Sequence, residues 1–221
     1  TAQLAVTNVQ ENKASVAATS SGDAILISNL GLVSGGAVSL SDNTISTTAR
    51  ANEASSTVET GTGAADINTT VALSSAQFAN GGDVRAEIDQ ASVSSAIESA
   101  TGGSINVDGN TVSARSYNND VEQDLVLSAN TVNATSGDPV TLHPINKNRG
   151  SGDASFGLYA EGDLVVSNLQ DRTSADTNAA VSGVVITARG DTGGTAVDLS
   201  SVSLGDNTIE AVALGSNADL N

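Results

Sequence analysis

An all-β chain wound as a parallel β-solenoid is what the sequence predicts, on three observations. Two strand-like motifs are each written three times. Apolar and polar residues alternate within them. Aromatic bulk is nearly absent, so the interior must be narrow and layered rather than wide.

The first motif is Leu4-Ala5-Val6-Thr7-Asn8-Val9-Gln10, which returns as Val71 to Gln77 and as Leu164 to Gln170. The second is Val38-Ser39-Leu40-Ser41-Asp42-Asn43-Thr44-Ile45, which returns as Ile105 to Val112 and as Val202 to Ile209. Each copy of the second reads as a strand, a tight Asp/Gly-Asn corner and the start of the next strand. Leu4 to Val71, Val38 to Ile105 and Gly35-Gly36 to Gly102-Gly103 are one and the same interval along the chain. A long internal period of this kind, here about 67 residues, is the mark of a repeat architecture.

The third copy is displaced, because the intervals from Val71 to Leu164 and from Ile105 to Val202 are both longer. An insertion from Ser136 to Gly162 accounts for most of the excess. It holds both prolines, Pro139 and Pro144, and the only histidine, His143. The chain thus reads as one solenoid: repeat one 1–67, repeat two 68–135, insertion 136–162 and repeat three 163–221. Coils of about 22 residues would divide each repeat into three and give about ten coils, a rod near 50 Å at roughly 4.8 Å per coil. Corners are expected at Asn52, Gly61-Thr62-Gly63, Gly81-Gly82-Asp83, Asn118-Asn119 and Gly215-Ser216-Asn217, where positive φ is tolerated. The run Ala91 to Ala100 fits a strand at least as well as a turn or two of helix. A string of antiparallel sandwiches is the competing architecture, but a single repeat with one or two aromatics buries too little to fold alone.

Composition narrows function. Twenty-five acids face eight bases, a net charge of −17. Nucleic acid is excluded as a partner, because phosphate contacts need clustered Lys and Arg. The scattered acids read as a solvated face. With no cysteine there are no disulfides, thiolate metal sites or cysteine nucleophiles. No apolar run is long enough to insert in a membrane, and Thr1 reads as a mature or trimmed start.

The Asn-Thr-(Val/Ile) corners at Asn43, Asn110 and Asn207 and the Ser/Ala/Val-rich alternation resemble bacterial β-helical surface proteins, such as those of adhesin shafts and holdfast-anchoring fibres. The resemblance covers nearly all of the chain except the insertion. It implies an extracellular, load-carrying or polymer-forming role at the bacterial cell surface.

Asn43, Asn110 and Asn207 at one repeat position, and Gln10, Gln77 and Gln170 at another, are expected to form structural corner ladders whose amides bond along the solenoid axis. Calcium is the one cofactor to weigh, at Asp42, Asp108, Asp206, Asp83, Asp138 and Asp153, yet no calcium-loop spacing is present. His143 reads as a surface-loop residue without a nucleophile elbow. No catalytic site is expected. Repeat three stops at Leu220-Asn221 without an evident cap, and uncapped strand edges recruit another chain. The expectation is therefore a structural subunit of a filament or adhesin fibre, a homo-polymer built by head-to-tail contacts, with Phe156, Leu158 and Tyr159 of the insertion offered as a subunit contact. A carbohydrate- or ice-binding module, touching a surface polysaccharide or using the recurrent Thr44, Thr111 and Thr208, is the alternative. A polysaccharide-active enzyme ranks below it.

Overall fold

The computed structural model describes residues 4–59, 71–126, 164–189 and 198–220. The first repeat contributes β1 (Leu4–Asn12), β2 (Val16–Ser21), β3 (Ala24–Ser34), β4 (Ala37–Ser41) and β5 (Thr44–Glu59). The second contributes β6 (Val71–Asn80), β7 (Val84–Asp89), β8 (Ser92–Asp108) and β9 (Thr111–Val126). The third contributes β10 (Leu164–Thr173), β11 (Thr177–Ser182), β12 (Val185–Arg189), β13 (Asp198–Gly205) and β14 (Thr208–Leu220). The run at Ala91 to Ala100 is strand, inside β8 from Ser92 onward.

Every pairing among the described strands is parallel and joins a strand to its counterpart in the next repeat. β6 lies between β1 and β10, β7 between β2 and β11, and β9 between β5 and β14. The long β8 serves two faces, holding β3 and β12 on its first half and β4 and β13 on its second. The molecule is a parallel β-solenoid with five faces, each three strands deep. Antiparallel sandwiches are excluded by the strand direction alone.

A winding is longer than the coil that sequence reading expected. One whole repeat makes one winding: Leu4 stands opposite Val71 and Val71 opposite Leu164. The described residues therefore form three windings rather than about ten coils. Side-chain matching is the reason. Pairing at the shorter, expected coil length would set Gln10 against Leu32 and Asn43 against Ala65, leaving amides opposite apolar groups. Pairing at the full repeat sets Gln on Gln and Asn on Asn.

Chain direction changes at corners occupied by left-handed residues. Asp42 (φ 58°), Gly109 (φ 66°) and Asp206 (φ 48°) hold one slot in the three windings, and Gly22, Gln90 and Gly183 hold another. The left-handed residue of the second motif is thus the one before the Asn; Asp108 stands one place earlier than Asp42 and Asp206. Gly35 and Gly102 turn the chain between the two faces of β8's sheet, and beside them a Cβ at Gly103 would lie 2.5 Å from Gly36 O. Gly81-Gly82-Asp83 is a corner as expected. Asn52, Asn118-Asn119 and Gly215-Ser216-Asn217 instead lie within β5, β9 and β14. Gly61-Thr62-Gly63 and the insertion from Ser136 to Gly162, with His143, lie outside the described residues.

In cross-section the sheet of β5, β9 and β14 packs against both the β1–β6–β10 and the β2–β7–β11 sheets, and side chains of the β8 sheet join the same core. The core is Val84, Ala86, Ile88, Val93, Ile105, Val107, Val112 and Ala114 of the middle winding, with Val38, Leu40 and Ile45 stacked on it. A smaller cluster of Val58, Val71 and Leu73 fills the other end of the cross-section. Small and β-branched side chains suffice because each winding covers the next.

The same repeat position should therefore matter differently in different windings. Ile105→Ala, at a fully buried site, is expected to cost about 3 kcal/mol through lost burial and a residual cavity. Val202→Ala, at the stacked position of the third winding, should cost under about 1 kcal/mol. Urea unfolding of both variants checks this.

Candidate functional site

The amides of the repeated motifs meet along the axis. Asn43 Nδ2 donates to Asn110 Oδ1 at 2.9 Å, and Asn110 Nδ2 donates to Asn207 Oδ1 at 2.9 Å. Each acceptor oxygen also takes the backbone N–H of the residue before it in the ladder, Asn43 N at 3.1 Å and Asn110 N at 3.0 Å. Asn110 is fully buried. Its Nδ2 also reaches Leu40 O (2.9 Å) and Asp108 O (3.2 Å). A side-chain amide carries two donors and two acceptor sites, and Asn110 satisfies both ends while closing the corner.

The glutamines make a second ladder of opposite sense. Gln77 Nε2 donates to Gln10 Oε1 at 3.0 Å and Gln170 Nε2 to Gln77 Oε1 at 3.2 Å. Each also crosses the interior of its own winding: Gln10 to Glu53 O (2.6 Å), Gln77 to Asp120 O (2.8 Å) and Gln170 to Asn217 O (2.6 Å). These bonds tie the β1–β6–β10 sheet to the β5–β9–β14 sheet. Asn52 and Asn119 add a third element that sequence reading took for corners. Asn52 Nδ2 donates to Asn119 Oδ1 (2.8 Å) and to Phe78 O (3.0 Å), and Asn119 Nδ2 to Asp171 O (3.3 Å). Their separation by one full repeat was the signal available for finding them. In the third winding the position is Ser216, and the amide is lost.

Charged groups decorate the outside of the stack. Arg115 pairs with Glu210 of the next winding at 2.9 Å, a bond that raises the pKa of its guanidinium and keeps it charged. Arg50 pairs with Glu53 (2.6 Å) and Asp120 (3.5 Å), with its guanidinium 5.0 Å from the centre of the Tyr117 ring. Such exposed pairs contribute little each. Asp83 Oδ1 accepts the Asp176 N–H at 3.0 Å, a structural bond between windings. Among the described residues no three His, Asp or Glu side chains converge on a metal-ion position. Asp138 and Asp153, and the contact residues Phe156, Leu158 and Tyr159, lie outside the described residues.

The two ends of the stack are unlike. In the third winding Val202, Leu204 and Ile209 are 53 %, 54 % and 56 % exposed; their counterparts Ile105, Val107 and Val112 are fully buried, and Val38, Leu40 and Ile45 of the first winding stay at 6–9 %. Among the described strands, β10 to β14 each pair on one side only. What this arrangement can do chemically is offer unpaired backbone and apolar surface to another β-structure.

Replacing Asn110 by Leu strands the Asn43 N–H and the Leu40 and Asp108 carbonyls, so about 2–4 kcal/mol of stability should be lost. Asn207→Leu strands the Asn110 N–H and one carbonyl, Val107 O, rather than two, and should cost somewhat less. Denaturation midpoints compare the two. No protein-family model, curated protein or solved structure matches this chain.

Proposed function

We propose that this chain is a structural subunit of an extracellular bacterial filament or adhesin fibre, assembling by end-to-end stacking of its windings. The observation that carries the reading is the uncovered interior of the third winding. Val202, Leu204 and Ile209 occupy core positions, yet more than half of each side chain meets water. An apolar patch of that kind, rimmed by unpaired strand edge, is a surface for association. Supporting it, the repeat contacts need no aromatic or disulfide staple and can continue from chain to chain as they continue from winding to winding. The high negative charge keeps the sides of such a stack apart while its ends join. The extracellular, cell-surface setting rests on the resemblance of the Asn-Thr-(Val/Ile) corners to adhesin-shaft and holdfast-anchoring proteins.

Purified protein concentrated in 0.15 M salt should form unbranched filaments in negative-stain micrographs, with a rise of about 14 Å per subunit from three strand spacings. Ile209→Lys should abolish them and leave the far-ultraviolet circular dichroism of the monomer unchanged. Monodisperse compact particles at every concentration would sink the proposal.

A further inference from the structure

One corner between the first and second windings holds a group of side chains that the stacking function does not use. Glu11 stands in β1 opposite Phe78 of β6. Its Oε1 accepts a hydrogen bond from Asn80 Nδ2 at 2.8 Å and lies 3.5 Å from Lys13 Nζ. An amine of the first winding and a primary carboxamide of the second thus rest on one carboxylate oxygen. Lys13 is one of only two lysines in the chain.

The backbone fixes this meeting. Asn12 closes a tight turn around Lys13: its Nδ2 donates to Ala14 O (2.7 Å) and its Oδ1 accepts the Ala14 N–H (3.2 Å). The turn sits directly on the second winding. A Cβ at Gly82 would collide with Ala14 O, and Asp83 N–H donates to Ser15 Oγ at 3.3 Å. Asn80 ends β6, and Gly81 follows it in the left-handed region with φ 90°. The third winding has no such carboxamide, because Thr173 stands opposite Asn80 there.

The side-chain carbonyl carbon of an asparagine is open to attack by a neighbouring nitrogen, with loss of ammonia. In an Asn-Gly pair the usual attacker is the glycine nitrogen, which closes a succinimide. Here the Gly81 N–H donates to Thr173 O at 3.0 Å, so that nitrogen is committed to the third winding. Lys13 Nζ is the other nitrogen at hand. Its side chain is 70 % exposed, which lets the long stem swing over Asn80. Glu11 touches both reactants, the position a shared base and acid needs. Holding the two groups at one oxygen also supplies the proximity that a bimolecular encounter lacks.

We infer that Lys13 and Asn80 join in an intramolecular isopeptide bond, with Glu11 moving the proton, and that the bond staples the first winding to the second. Glu11 takes a proton from the Lys13 ammonium. The neutral amine attacks Asn80 Cγ, forming the Nζ–Cγ bond while the carbonyl electron pair moves to oxygen. Glu11 then passes its proton to Nδ2. The carbonyl re-forms, the Cγ–Nδ2 bond breaks, and the departing ammonia removes the remaining Nζ proton as ammonium. A lysine ammonium and a carboxamide become a secondary amide and an ammonium ion, with nothing oxidised or reduced. The bond lies within one chain, so it stands or falls apart from the stacking function.

After prolonged incubation of the full chain in mildly alkaline buffer, its intact mass should be about 17 Da below the sequence mass, one ammonia lost. Trypsin cannot then cut after Lys13, and residues 1–50 should emerge joined to residues 51–85 as one branched peptide. Lys13→Arg and Asn80→Ala should keep their full sequence masses. The staple closes a long loop, so the thermal midpoint should stand about 5–10 °C above that of Lys13→Arg. Glu11→Gln should slow bond formation about a hundredfold with the circular dichroism unchanged. A full sequence mass at every time point would overturn the inference. So would the same mass loss with trypsin still cutting after Lys13, since that marks a succinimide at Asn80-Gly81. An undiminished rate in Glu11→Gln would overturn the part given to Glu11.

Discussion

Everything in this fold depends on like standing upon like at one strand spacing. A parallel ladder brings the same position of successive windings about 4.8 Å apart. At that distance an amide opposite an amide forms a bond, and an aliphatic residue opposite another excludes water. Gln10, Gln77 and Gln170 exploit the rule twice, because each bonds its neighbour along the axis and a carbonyl across its own winding. The solenoid is held open at its proper thickness by these cross-interior bonds rather than by bulky side chains.

The same rule explains why polar residues can be buried so freely here. Asn52, Gln77, Asn110 and Asn119 are all buried, which in an ordinary core would carry a heavy desolvation cost. In a stack each finds its partner automatically once the register is correct, and each penalises any other register. The amides therefore specify the winding length more sharply than the aliphatic residues, whose contacts survive a slip that keeps the same face of a strand inward.

Stacking has a consequence at the ends. The middle winding is covered on both sides, and its core side chains are fully buried. The third winding leaves Val202, Leu204 and Ile209 more than half exposed, so core positions become surface there without any change of sequence character. Val202 and Ile105 are chemically near-equivalent, yet Ile105 is core and Val202 is exposed. The functional reading of this protein follows from that geometric difference.

Much of this was legible in the chain. Alternation, the recurrence of both motifs at one interval and the near-absence of aromatic bulk dictate an all-β repeat fold, because these patterns report burial and register directly. The Asn and Gln positions that bond along the axis were visible as recurrences. Others were hidden: Asn52 and Asn119 look like corner residues in sequence, since Asn favours turns, and only the surrounding strands show them pointing inward. The number of residues per winding was also beyond reach, because a repeat period states how often a pattern returns and not how many times the chain turns in between. Tertiary structure alone decided that one repeat is one winding and that the first winding shelters its core positions while the third leaves them open. These are properties of the space between segments far apart in the chain, which local pattern does not encode.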